Sequence, residues 1–204
     1  MIKNVMIDLG GVMINLDRDR CVRAFERLGI ADADERLGLY RQKEPFIYVE
    51  DGSITAAEFY DGLRRMTGRQ VDDIEFENAF DEFLLDLPVE RLEALRKMRA
   101  DGLKLYMISN TNAIMYDGWI KRAFMQEGRK VGDYFDGIVT SFAEGFCKPD
   151  PRLFATVLNR YGLKPEETIL LDDSEANCES ARGLGMKALR IIGPVTILNW
   201  REHV

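Results

Sequence analysis

The stretch Val5-Met6-Ile7-Asp8-Leu9-Gly10-Gly11-Val12 decides how the rest of the chain is read. Three consecutive apolar residues without polar alternation fit a strand buried on both faces, as at the centre of a parallel sheet. The strand ends on a carboxylate, and two glycines follow within three residues, where a tight turn needs them. Asp8 therefore stands where a rigid strand opens into a turn, a position from which a carboxylate can attack a substrate or hold a metal.

Further apolar runs of similar length occur at 105–108, 138–139, 169–171 and 188–192. Helical patterns separate them. From Pro88 to Arg99, the spacing places Val89, Leu92 and Leu95 on one face, with Pro88 in the first turn and Gly102 as the stop. Asp150 caps a helix that begins at Pro151, carries Phe154, Val157, Leu158 and Tyr161, and ends at Gly162. Ser174 opens another, running toward Gly183 or Gly185. Strands alternating with helices predict right-handed crossovers and a doubly wound parallel, Rossmann-like α/β sheet.

Residues 17–85 read differently, because no convincing strand interrupts them. Asp17 caps a segment with Cys21, Phe25 and Leu28, and Thr55 with Glu58 forms a capping-box pattern ahead of Phe59, Leu63 and Met66. A third segment opens at Asp72 or Asp73 and carries Phe76, Phe80, Phe83 and Leu84. The expectation is an α-helical cap over 17–85, inserted into a core made of 1–16 and 86–204. Its aromatic residues are read mainly as core, and Pro45-Phe46-Ile47-Tyr48 as a stretch that could face the site.

Composition narrows the function classes. The 204 residues carry 35 acidic and 28 basic side chains, a net charge of −7 that argues against general nucleic-acid binding. An anionic small molecule needs only one local cationic pocket. No apolar run reaches membrane-spanning length and no signal-peptide pattern opens the chain. The three cysteines, Cys21, Cys147 and Cys178, are far apart and form no C-x-x-C pair, which fits a reducing cytoplasm without disulfides or zinc. Cys147 beside Lys148 is read as a small buried residue rather than an activated thiol.

In open α/β sheets, ligands bind beyond the carboxyl ends of the strands. Asp8, Ser109 and Asp172-Asp173 all hold that position, and Lys148 lies in a loop on the same edge. The segments Ile7-Asp8-Leu9-Gly10-Gly11-Val12, Ile108-Ser109-Asn110-Thr111, Cys147-Lys148-Pro149 and Leu171-Asp172-Asp173 resemble the four ordered motifs of the haloacid dehalogenase superfamily. Within it the chain is similar to the branch of the epoxide-hydrolase N-terminal domain and α-D-glucose-1-phosphate phosphatase, through Ser109-Asn110-Thr111-Asn112 and the Asp172-Asp173 pattern ending in Asn177.

The resemblance implies a Mg²⁺-dependent phosphatase acting on a small phosphorylated metabolite. Asp8 would be the nucleophile that carries an aspartyl-phosphate. Ser109, Asn110 and Thr111 would hold phosphoryl oxygens, by hydroxyl and backbone N–H, and could also cap the segment from Ala113 to Phe124. Lys148 would neutralise the phosphoryl group and orient Asp8. The metal set would be Asp8, the Gly10 carbonyl and Asp173, with Asp172 either behind it or on Lys148; the sequence leaves open which acid of the pair touches the ion.

Gly10 departs from the usual pattern, which has an acid two residues after the nucleophile. General acid–base help is typically worth about 10²–10⁴-fold. Its loss is met by a leaving group that needs little protonation, such as an anomeric sugar phosphate, or by water or a cap residue that supplies the proton. Two other readings stay open: a 2-haloacid dehalogenase-like hydrolase, and a weakly active or degenerate binding protein. His203 is the only histidine and lies too near the end of the chain for a catalytic role, and Tyr116, Trp119 and Phe124 are read as core. Oligomeric state is not legible.

Overall fold

Short strands without polar alternation can be buried only if helices cover both faces of their sheet, and the architecture follows that rule. A computed structural model describes residues 1–204. In chain order the elements are β1 (Asn4–Ile7), α1 (Arg18–Leu28), α2 (Ala33–Arg36), α3 (Phe46–Glu50), α4 (Ala56–Thr67), α5 (Asp73–Asp81), α6 (Val89–Ala100) and β2 (Lys104–Ser109). There follow α7 (Ala113–Met115), α8 (Lys121–Phe124), α9 (Val131–Tyr134), β3 (Gly137–Thr140), α10 (Ser141–Glu144), α11 (Pro151–Tyr161), β4 (Thr168–Asp172), α12 (Glu175–Gly183) and β5 (Lys187–Arg190).

The five strands form one sheet in the order β3-β2-β1-β4-β5, parallel throughout. β1 is central. Ile7 aligns with Met107 of β2 and Leu171 of β4, so the next residue, Asp8, emerges beside Asp172. The strand period of two splits the core: Val5, Ile7, Leu105, Met107, Ile169 and Leu171 pack on one face with Leu92 and Leu95 of α6. Met6, Tyr106, Ile108 and Leu170 pack on the other with Leu153, Phe154 and Val157 of α11.

Helices α1 to α5 lie between β1 and α6 in sequence, and their aromatic residues hold them together edge-on. Phe25 meets Phe46 and Phe80 at centroid distances of 5.0 Å each, and Phe46 meets Phe59 at 5.3 Å. This apolar cluster is continuous with that on the α6 face of the sheet. The chain enters and leaves the helical block along two segments bonded to each other: Asn15 N–H to Asp86 O, Leu85 N–H to Asn15 O and Asp17 N–H to Phe83 O, at 2.9 Å each. A second tie lies at Gly52, which has φ +75° and whose absent Cβ would stand 2.1 Å from the Phe142 carbonyl oxygen. Only glycine permits that approach, and it fixes α3 against α10.

Three local expectations change. Val89 is 44% exposed, and Met98 joins Leu92 and Leu95 on the buried face instead. β5 stops at Arg190 because Asp172, its partner, is the last residue of β4, and Ile192 beyond it is exposed. The 113–124 segment is broken by a π-helical turn at Tyr116–Ile120, a feature that widens a helix locally and often lies at functional sites. Phe124 is fully buried as expected, while Tyr116 and Trp119 are partly buried against the core. No helix is long and apolar enough to cross a membrane.

The two helix positions give opposite expectations for stability. Phe154→Ala, in the fully buried face of α11, should cost about 3–5 kcal/mol in urea unfolding. Val89→Ala should stay within about 0.5 kcal/mol.

Candidate active site

The carboxyl edge of the sheet gathers the residues that sequence separates. Asp8 continues the β1 ladder one step, its N–H donating to Leu171 O at 3.0 Å. Ser109 ends β2, Asp172 ends β4, and Lys148 follows α10 in the loop before α11. The Lys148 ammonium is buried and donates to Ile108 O at 3.1 Å and Asp172 Oδ2 at 2.7 Å, and pairs with Asp8 Oδ1 at 2.7 Å. An ammonium has three protons, and here each has an acceptor.

Asp172 is committed on both oxygens. Oδ2 faces Lys148, while Oδ1 accepts from the Ser174 N–H at 2.9 Å and Asn177 Nδ2 at 2.8 Å. Asp172 thus ties the start of α12 to β4, while Ser174, the expected cap, makes no cap bond of its own. Asp173 is only partly buried, and its Oδ2 would lie 2.4 Å from a Cβ on Gly11, so a side chain there would displace it.

The electrostatics follow from crowding. Burial pushes the Asp8 carboxyl up, Lys148 pulls it back, and Asp172 and Asp173 push it further up. Burial alone would lower the Lys148 ammonium, but Asp172 and Asp8 outweigh it and hold it above its ordinary range. The proton of this contact stays on Lys148, where every N–H is used. Burial, with Asp172 adjacent, raises Asp173 to about 6. Oxygens of Asp8, Asp172 and Asp173 lie within 4.8 Å of one another. Three carboxylates facing one ammonium leave net negative charge, and an all-oxygen donor set suits a hard divalent cation such as Mg²⁺.

The motif after β2 behaves partly otherwise than expected. Asn110 spends its side chain on the Lys148 loop, donating to Lys148 O at 2.9 Å and accepting from Lys148 N at 2.7 Å. The Thr111 N–H donates to Ser141 Oγ at 3.0 Å, but its hydroxyl is buried without a partner. Asn112, rather than Ser109, caps α7 by accepting from the Met115 N–H at 2.9 Å. Ser109 is left with one long contact to Asn110 O at 3.4 Å. Its hydroxyl and that of Thr111 therefore remain available.

These groups open into a cavity of about 100 Å³ whose other wall is apolar, including Leu16, Phe46, Phe80, Phe83 and Met115. Of the Pro45–Tyr48 stretch, Phe46 reaches this wall. The sequence reading missed Glu50, which also lines it. Glu50 is 8% exposed and forms no salt bridge, unlike the other buried acids, Asp8 and Asp172. Burial pushes it up to about 7 against the pull of Cys147, Gln42 and Lys148. The Cys147 thiol is pushed up to about 12 by burial and by Glu50 and Asp51, so it is an inert thiol. His203 is exposed in the last turn, away from these groups.

The pattern of the haloacid dehalogenase-like hydrolases matches residues 2–185. D-ribitol-5-phosphate phosphatase of Bacteroides thetaiotaomicron is 32% identical over 204 residues, spanning 100% of this chain and 97% of that protein. Glyceraldehyde 3-phosphate phosphatase of Methanocaldococcus jannaschii is 27% identical, over 94% and 86% of the two chains. A crystal structure of a HAD-family enzyme from B. thetaiotaomicron, in complex with magnesium and inorganic phosphate, superposes with a TM-score of 0.88 at 39% identity over 95% and 96%. The chain belongs to the haloacid dehalogenase-like hydrolases, and it is an enzyme of that family.

Glu50 makes stability depend on pH. Its folded-state pKa lies above the ordinary 4.5, so the folded protein binds that proton more tightly than the unfolded chain. The resulting stability is full below 4.5 and is lost as pH rises through about 7. Glu50→Gln should remove a decline on the order of 3 kcal/mol, read from urea unfolding at about pH 4.5 and about pH 8.

Proposed function

We propose that the chain is a Mg²⁺-dependent phosphatase that hydrolyses a small phosphorylated metabolite, of the sugar phosphate class, through an aspartyl-phosphate on Asp8. The observation that carries this reading is the buried Lys148 ammonium held 2.7 Å from both Asp8 and Asp172. It sets one Asp8 oxygen and leaves the carboxylate at the mouth of a pocket that Ser109 and Thr111 also line. The phosphatase relatives support the reaction type, and their five- and three-carbon substrates support the substrate class.

In this mechanism Asp8 attacks phosphorus, and the bond from phosphorus to the ester oxygen breaks. The leaving oxygen takes a proton. Water then attacks the phosphorus of the aspartyl-phosphate, loses a proton and releases inorganic phosphate and free Asp8. Lys148 offsets phosphoryl charge and orients Asp8, and Ser109 and Thr111 donate to phosphoryl oxygens. Asn110 acts by holding the Lys148 loop and can offer its backbone to the phosphoryl group. Asp8, the Gly10 carbonyl and Asp173 would hold Mg²⁺, while Asp172 is spent on Lys148, Ser174 and Asn177. When bound, the ion neutralises phosphoryl charge and favours the ionised form of Asp8.

The helices within 17–85 act as a cap over a core of 1–16 and 86–204, since Phe46, Glu50 and Phe80 from the one share a cavity with Asp8, Ser109 and Lys148 from the other. Closure of such a cap excludes water and sets specificity. The chain acts on a soluble metabolite in the cytoplasm, without nucleic acid or membrane. Dehalogenation fits less well, because it has no need of the acidic cluster.

Phosphate release from a panel of sugar and polyol phosphates tests the proposal. Turnover should require Mg²⁺, stop with EDTA and fall by on the order of 10⁴-fold in Asp8→Asn. Undiminished turnover in Asp8→Asn, or halide release from 2-haloacids in place of phosphate release, would overturn it.

A further inference from the structure

A phosphatase of this design lacks a proton donor at position 10, and the end of a leucine stands close to where such a side chain would begin. A Cβ on Gly10 would stand 3.0 Å from Leu16 Cδ1, so a side chain there would have to move the end of that leucine. Leu16 and Ile14 make that side of the cavity apolar. Any acid that serves the leaving oxygen has to come from another wall.

Three carboxyl groups line the cavity: Asp8, Asp173 and Glu50. Asp8 is paired with Lys148, and Asp173 adjoins the acidic cluster. Glu50 alone among them comes from the helical block. It ends α3, one helical turn after Phe46, and the Gly52 contact with Phe142 fixes that end of α3 against the core. A buried carboxyl without a cation is costly when ionised and is therefore held protonated until the pH approaches its raised pKa.

Resting on the phosphatase reading above, we propose that Glu50 is the general acid and base of this enzyme, in place of the side chain that Gly10 lacks. As Asp8 bonds to phosphorus and the ester P–O bond breaks, the Glu50 carboxyl gives its proton to the departing alkoxide. The resulting Glu50 carboxylate then takes a proton from the water that attacks the aspartyl-phosphate, which restores the acid. No co-reactant is needed. The groups that face Glu50 favour this cycle in both directions. Asp51 disfavours its ionised form, while the Cys147 thiol, Gln42 and the Lys148 ammonium favour it.

The test exploits leaving-group chemistry. An alkyl phosphate needs protonation of its leaving oxygen, and p-nitrophenyl phosphate, whose phenolate leaves unaided, does not. In Glu50→Gln, kcat on an alkyl phosphate should fall about 10²–10⁴-fold, with p-nitrophenyl phosphate turnover changed less than about threefold in the first, phosphorylating step, read as a burst. The wild-type pH profile on the alkyl substrate should fall above about 7, near the Glu50 pKa, and that limb should be absent from the p-nitrophenol burst. Equal losses on both substrates, or no loss on either, would overturn the assignment to Glu50. If Glu50→Gln fails to fold, the two wild-type profiles decide: identical basic limbs discard the proposal. Inactivity of the wild type on every phosphate ester would instead discard the phosphatase reading itself.

Discussion

One buried ammonium organises the carboxyl edge of the sheet. Lys148 reaches three acceptors from three different strands: Asp8 after β1, Ile108 in β2 and Asp172 at the end of β4. Burying a lysine is expensive, and here the cost is offset only because the parallel register brings Asp8 and Asp172 side by side. The dependence runs both ways. Without the ammonium, two carboxylates would face each other in a dry cleft, and without the register the ammonium would have no partners. The sheet topology and the charge arrangement at this edge are thus one constraint.

The loop that carries Lys148 is itself held by a side chain from the next strand over. Asn110 bonds both the N–H and the carbonyl of Lys148, as a backbone strand would. Ser141 similarly binds the N–H and the carbonyl of Thr111. These exchanges join the ends of β2 and β3 to the Lys148 loop and fix Thr111, which lines the cavity. Preorganisation of this kind is what electrostatic catalysis requires, since dipoles already in place need not reorganise during reaction.

Much of this was legible in the sequence, and the reason is geometric. A buried parallel strand must be apolar throughout, so a polar residue at its end stands out, as Asp8, Ser109 and Asp172-Asp173 do. What the sequence obscured lies in helices and loops, where one face is polar anyway. Glu50 is one of 35 acidic residues, and the only hint to its burial is its spacing of four from Phe46, on the apolar side of a helix too short to show a period. The capping role of Asn112 was hidden because Ser109, Thr111 and Asn112 are all good caps, and only the position of the first turn distinguishes them. Which acid of Asp172-Asp173 is tied down depends on the strand pleat, which sends alternate side chains to opposite faces and is set by pairing rather than by residue type.

The contact between Gly10 and Leu16 bears on the routes by which such a chain can change. An aspartate introduced at position 10 would push on the end of the Leu16 side chain, and a smaller residue at 16 would widen the cavity on that side. The two positions are therefore coupled through their packing, so that the effect of a side chain at 10 depends on the residue at 16. The neighbouring segment 15–17 also carries the hydrogen bonds that join entry and exit of the helical block, so a backbone shift that moved Leu16 away from position 10 would loosen that junction as well.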